Sequence, residues 1–190
     1  MKQKPEVCIL PVAGLSTRNL PATKALHKGF LTLHNIPIIQ YAVNACAEIG
    51  VKEIIFIYSD QSCKHLFETY FSPYPWLEEH LIAKNKLDLL KAVREVIPEG
   101  MKFSFAEQKE PKGNGHAVLM AKDLVGTRDF IVMWPDDVYV NIRGEGVLKQ
   151  LLKVYDEFGG MVENIMEFPT SEMVRYGCLK GTVRDGRVVH

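Results

Sequence analysis

The stretch Pro11-Val12-Ala13-Gly14-Leu15-Ser16-Thr17-Arg18-Asn19-Leu20-Pro21-Ala22-Thr23-Lys24-Ala25-Leu26-His27-Lys28 joins an apolar run to a loop of small residues carrying three cations, Arg18, Lys24 and Lys28. Small residues let backbone N–H groups approach a ligand closely. A guanidinium binds two phosphate oxygens at once, and a lysine adds a mobile point charge. Those are the needs of a polyphosphate, so the segment reads as a site for nucleotide phosphates. It contains neither G-x-x-x-x-G-K-[ST] nor G-x-G-x-x-G. On residue types alone, an ordinary surface loop with scattered charges stands beside that reading.

Three later segments carry groups suited to the same chemistry. Gln108-Lys109-Glu110-Pro111-Lys112-Gly113-Asn114-Gly115-His116-Ala117 is a glycine-containing loop that opens a helix. Trp134-Pro135-Asp136-Asp137 closes an apolar strand with adjacent carboxylates. Neighbouring side chains of a strand point to opposite faces, so one carboxylate is expected at the site. A single carboxylate suits Mg²⁺, which keeps several waters and is held by one or two carboxylates plus substrate phosphates. Asp137 is read as the cap of the turn that follows. Tyr176-Gly177 lies in a strand-like run, where Gly177 by itself is a strand irregularity. His116 reads as structural, because a phosphate monoester is already an anionic nucleophile and needs little base chemistry. His27, His34, His65 and His80 form no metal-like cluster in sequence.

Regular elements must hold these groups. Residues 7–12 read as a buried strand feeding the loop 14–23. Pro37, the helical period of Ile38, Ile39, Tyr41, Ala42, Ala45, Cys46 and Ile49, and a stop at Gly50 predict a helix. Residues 53–59 predict a second strand, and Asp60 caps a helix to about Phe71. Residues 73–98 read as a charged peripheral helix with a Leu87, Leu90, Val93, Ile97 stripe. Strands at 101–106 and 130–134 and helices at 115–124 and 146–158 follow. Alternating strands and helices predict a mostly parallel sheet with helices on both faces and ligands at the carboxyl ends of its strands. Beyond Gly160, runs at 161–168, 176–183 and 187–189 look like strands, the last two joined by an Asp185-Gly186 hairpin turn. The final run is short, which predicts a fragment or a shortened relative of something longer.

The 190 residues suffice for one domain, expected over 1–190, and 23 basic residues balance 23 acidic ones. That balance gives no electrostatic reason to expect nucleic acid or an anionic membrane as partner. No apolar window reaches the length of a membrane helix, and Glu6 and Pro11 interrupt the apolar start, so a soluble protein is expected. Cys8, Cys46, Cys63 and Cys178 lie far apart without a metal-ligand spacing, as in a reduced cytoplasmic protein.

The first loop resembles the signature G-x-G-T-R-x-x-P-x-T-K-x-x-P-K of the sugar-nucleotide pyrophosphorylases. With the Gln108 loop, Asp136, the Tyr176-Gly177 step and Ile36-Pro37-Ile38-Ile39-Gln40-Tyr41, the chain from about Val7 onward is similar to the bacterial UTP-glucose-1-phosphate uridylyltransferases. The resemblance implies a three-layer α/β/α domain of the nucleotide-diphospho-sugar transferase type with a mostly parallel, mixed sheet. It implies in-line attack by a sugar-1-phosphate oxygen on the α-phosphorus of UTP or dTTP, with pyrophosphate released, and a possible homo-oligomer. By position, Arg18 and Lys28 would hold the triphosphate, and Ala13, Gly14, Gln108 and Gly113 the base. Asp136 would take Mg²⁺ and Gly177 the sugar. The match departs at Ser16, where the family has glycine, and at His27 and Thr32, where it has prolines. The family's Glu-Lys-Pro segment, second metal-binding aspartate and C-terminal dimer-forming region have no counterpart. That leaves, beside the enzyme, a catalytically incompetent nucleotide-binding homologue with a regulatory or scaffolding role.

Overall fold

The computed structural model describes residues 4–139, 144–167, 169, 171, 177, 179–184 and 187–189. Strand β1 (Val7–Pro11) pairs in parallel with β4 (Glu53–Tyr58) on one side and β6 (Phe130–Val132) on the other. β4 in turn pairs in parallel with β5 (Lys102–Glu107), so the sheet runs β5-β4-β1-β6. All six residues of β4 are buried, as a central strand with both faces covered requires.

Because side chains alternate along a strand, β1 and β4 each feed two cores. Cys8, Leu10, Ile54, Phe56 and Tyr58 pack on α1 (Ile38–Glu48) and α2 (Gln61–Tyr70) through Ile39, Val43, Cys46 and Phe67. Val7, Ile9, Ile55 and Ile57 face the other way, onto Ala117, Ala121 and Val125 of α5 (Asn114–Leu119), α6 (Lys122–Val125) and the residues between them. The result is the expected three layers. Asp60 caps α2, its Oδ1 accepting from the Cys63 N–H at 3.0 Å.

Some elements differ from expectation. Residues 73–98 form two helices, α3 (Pro75–Ala83) and α4 (Leu87–Arg94), broken where Asn85 takes φ +52°. Pro37 belongs to a short hairpin, β2 (Thr32–Leu33) with β3 (Ile36–Pro37), rather than to the helix. Its connecting residues, His34 and Asn35, both have positive φ, the condition of a tight two-residue turn. The helix expected at 115–124 is split between α5 and α6 where the ladder tightens to Ala121 N–H donating to Val118 O, a break with no glycine or proline to announce it. Helix α7 (Val147–Phe158) stands as expected. Of the strand-like run at 161–168, the described residues 161–167 form no strand, because an extended run needs a partner and none pairs with it among the described residues, while Phe168 lies outside them. β7 (Thr182–Arg184) and β8 (Arg187–Val189) pair antiparallel, while their turn, Asp185 and Gly186, lies outside the described residues, as does most of 172–178.

At the amino end of the sheet, opposite the loops of interest, Glu53 is 7% exposed and accepts from Lys102 Nζ (2.9 Å), Ser104 Oγ (2.6 Å) and Arg128 Nη1 (2.9 Å). Burial pushes its carboxyl up, but the Ser104, Lys102 and Arg128 donors outweigh burial and hold it below its ordinary value. A carboxyl depressed on folding contributes stability above its unfolded pKa and loses it as pH falls through the folded one. Glu53→Ala is expected to lower unfolding free energy by about 2 kcal/mol at neutral pH, since Lys102 and Arg128, 69% and 44% exposed, stay hydrated without it. Denaturant titration checks this, and the gap between the two proteins should narrow below about pH 4.

Candidate functional site

The strand order reverses between β1 and β6, and crevices for ligands open at such a switch point, beyond the carboxyl ends of the strands. The segments after β1, β6 and β5 each leave the sheet at that end, one hydrogen bond past the regular ladder. Val12 N–H donates to Ile57 O at 2.8 Å just before Ala13, Met133 N–H donates to Ile9 O at 3.1 Å just before the Trp134–Asp137 turn, and Gln108 N–H donates to Tyr58 O at 2.8 Å. The loops after β1 and β6 are therefore neighbours. Gln108 sits on the far strand, roughly 14 Å from β6 at the usual strand spacing.

None of the N–H groups of residues 13 to 18 has a protein acceptor among the described residues. The loop holds its shape by other bonds: Ser16 Oγ donates to Gly14 O (3.2 Å), and Thr23 Oγ1 donates to Ser16 O (2.8 Å). Ser16 has φ +54°, the left-handed region where glycine costs least, so the expected conflict with glycine is real. Its hydroxyl is turned back onto the Gly14 carbonyl. Arg18 is exposed within a short 3₁₀ turn, Thr17–Asn19, and makes no ion pair among the described residues.

Lys28 follows 10 residues later in sequence and meets the β6 end. Its Nζ donates to Asp136 Oδ2 at 2.6 Å, with the side chains 24% and 44% exposed. The sequence kept these two residues apart as phosphate and metal ligands; the fold joins them. The Asp137 N–H closes the turn onto Trp134 O at 3.0 Å, so it is Asp137's backbone that serves that turn. Burial first, and Asp136 second, raise the Asp137 carboxyl above its ordinary value, with Lys28 opposing them.

His27 anchors the loop from below. Its Nδ1 accepts from Gly29 N–H at 3.0 Å, its ring meets Phe67 edge-on at 5.2 Å, and its Nε2 is buried without a partner among the described residues. Burial, then the Lys28 charge, lower its pKa from 6.5 to about 4, against the Val12 carbonyl, Asp136 and Asp60. The His27 backbone, at φ −66°, already has the angle that a proline imposes, which explains how the loop keeps its course without one.

Gln108 is 6% exposed. Its Nε2 donates to Gly113 O at 3.1 Å and lies 3.0 Å from His116 Nδ1. Gly113 has φ +96° and ψ 179°, a conformation essentially confined to glycine, and that conformation aims its carbonyl at Gln108. The structure thus brings Arg18, Lys28, Asp136, Ala13 and Gly14 to the β1–β6 crevice, and Gln108 with Gly113 to the β5 end. Gly177 is exposed, with both sequence neighbours outside the described residues. A cavity of about 550 Å³, lined by α1 and by residues within 133–139 and 144–149, reaches Asp137 but not Lys28, Arg18 or Gln108.

This geometry defines a doubly wound α/β protein with a cationic, amide-rich loop at its switch point. The sequence model of the nucleotidyl transferase family matches residues 7–190, and the chain belongs to that family. It is 38% identical over 179 residues to a UTP–glucose-1-phosphate uridylyltransferase of Pseudomonas aeruginosa, and 37% identical over 185 residues to one of Haemophilus ducreyi. These alignments cover 94% of this chain but 63% and 62% of the relatives, so the chain spans about three fifths of their length. A solved UDP-glucose pyrophosphorylase from Acinetobacter baumannii is 37% identical, with a TM-score of 0.76 over 81% of this chain and 53% of that one. Another, complexed with UDP-glucose, is 34% identical with a TM-score of 0.68 over 81% and 54%. No helix among the described residues is long and apolar enough to cross a membrane.

Proposed function

We propose that this chain binds the magnesium complex of UTP and is the nucleotide-binding part of a protein that makes UDP-glucose and pyrophosphate from UTP and glucose-1-phosphate. The observation that supports it most is the row of unpaired N–H groups at 13–18 beside the Lys28–Asp136 pair, at the switch point of a parallel sheet. The names of the relatives support the choice of UTP and glucose-1-phosphate. dTTP presents the same imide edge as UTP.

In this reading the open amides, Arg18 and Lys28 take the triphosphate, while Ala13, Gly14, Gln108 and Gly113 take the base. The donor set suits Mg²⁺: Asp136, 44% exposed beyond the end of β6, offers one carboxylate to an ion held mostly by water and phosphate. When bound, Mg²⁺ would neutralise phosphate charge. Gly177 would lie against the sugar. The phosphate oxygen of glucose-1-phosphate attacks the α-phosphorus of UTP, one P–O bond forms as the α–β bridge breaks, and pyrophosphate leaves with its electron pair. The protein's share of such a step is positioning and charge neutralisation by Arg18, Lys28 and the backbone.

The left-handed Ser16, in a place where the family has glycine, favours a second reading in which the loop binds nucleotide without turning it over. Pyrophosphate release by the purified chain with UTP, Mg²⁺ and glucose-1-phosphate, together with UTP calorimetry, separates the two. Turnover supports the enzyme, binding without turnover supports the second reading, and absence of both rejects the site. Gln108→Ala is expected to erase the preference for UTP over CTP; an unchanged preference removes Gln108 from the base site.

A further inference from the structure

We propose that His116 is a positioning residue that decides which end of the Gln108 amide is offered to the base. The proposal rests on the placement of Gln108 at the base in the reading above.

The Gln108 side chain is buried at 6% exposure and has two polar ends. A main-chain carbonyl can only accept, so Gly113 O, 3.1 Å away, selects the nitrogen end. That nitrogen carries two hydrogens. The second points to His116 Nδ1 at 3.0 Å, which must then be an acceptor, placing the imidazole proton on Nε2. With both amide hydrogens committed to the protein, Oε1 is the side-chain atom left for a ligand, and it can only accept. A site ending in a bare acceptor favours a pyrimidine with an N3–H, uracil or thymine, over cytosine, whose N3 is itself an acceptor.

Without His116 the arrangement loses one of its two locks. The amide would keep the Gly113 bond but carry a buried, unpaired hydrogen, and turning over would cost it less. His116 comes from the first turn of α5, eight residues beyond Gln108, and Gly113 at φ +96° makes the bend that lets helix and glutamine meet. The lock is therefore formed between the loop 108–113 and the first turn of the helix that follows it.

Calorimetry of UTP and CTP, each with Mg²⁺, on the unmodified chain and on His116→Leu and His116→Asn tests this. His116→Leu is expected to lower the UTP-to-CTP affinity ratio by about tenfold, the effect of leaving one buried donor unsatisfied. His116→Asn, whose Oδ1 takes the position of Nδ1, should restore most of the ratio. If His116→Leu weakens both nucleotides equally, the residue is merely structural and the proposal fails; a ratio retained in His116→Leu or lost in His116→Asn overturns it as well. Should the unmodified chain bind UTP and CTP alike, the base-site reading falls first and takes this inference with it. That outcome is distinguishable because the ratio is then flat before any substitution.

Discussion

Lys28→Met weakens magnesium-dependent UTP binding by about 3 kcal/mol, roughly a hundredfold, while tightening the binding of Mg²⁺ alone. This is the expected result for a lysine with two anionic partners that it meets at different times. Its Nζ sits 2.6 Å from Oδ2 of Asp136, the carboxylate proposed to take the metal. Mg²⁺ arriving by itself must displace that ammonium; Mg²⁺ arriving with a triphosphate gives Lys28 another anion to move to. A hydrogen bond between charged groups contributes about 1.5–3 kcal/mol, and each 1.4 kcal/mol is about tenfold in affinity. Deleting Lys28 therefore removes a favourable term from the ternary complex and a competing one from the binary complex. Asp136 is 44% exposed and stays hydrated when unpaired, so the fold itself is not at stake. Asp136→Ala is the complementary case: Mg²⁺ should no longer enhance UTP binding. Titrating Mg²⁺, UTP and the two together into each variant reads both signs. Weaker Mg²⁺ binding in Lys28→Met would sink the exchange of partners, and an undiminished effect of Mg²⁺ in Asp136→Ala would take Asp136 out of the metal site.

The second large effect is on stability below neutral pH. His27 is buried with a pKa lowered from 6.5 to about 4, its Nδ1 already accepting and its Nε2 facing no partner among the described residues. A base whose folded pKa is depressed binds fewer protons folded than unfolded between those two values, so stability rises with pH across the window and is lost as pH falls through it. The interval is equivalent to about 3 kcal/mol. The Lys28 charge reinforces the shift, while the Val12 carbonyl, Asp136 and Asp60 oppose it. Asp137, raised by burial and by Asp136, has the opposite linkage, so the comparison of variants carries the test rather than the slope of the unmodified chain. His27→Pro, which suits the backbone at φ −66°, and His27→Gln both remove the titrating group. Each should flatten the loss of unfolding free energy between about pH 6.5 and 4 in denaturant titrations. A slope equal to that of the unmodified chain in both variants would show that His27 does not titrate with folding.

Much of the molecule was legible in the order of its residues, for a physical reason. β-branched runs such as Ile54-Ile55-Phe56-Ile57 have no better use than a strand buried on both faces, and Asp60 before a helical period is a local cap that needs no distant partner. The small-residue loop with Arg18 and Lys28 was read as a phosphate site because backbone amides and cations are what that chemistry uses. Local patterning was less informative where structure depends on partners elsewhere. Residues 161–167 look like part of a strand yet have nothing to pair with among the described residues, and the break between α5 and α6 carries no proline or glycine to mark it.

By itself the sequence determined the α/β class, the strands that lead into each loop, and the set of residue types able to hold a nucleotide. Those properties are short-range: they follow from periodicity, caps and side-chain chemistry within a dozen residues. Only the tertiary structure decided that Lys28 and Asp136, 108 positions apart, form one pair, and that His27 is buried beneath the loop against Phe67. Such relations arise when parallel strands bring the ends of β1, β5 and β6 to one edge, and the order β5-β4-β1-β6 that does so is set by the packing of helices on both faces of the sheet.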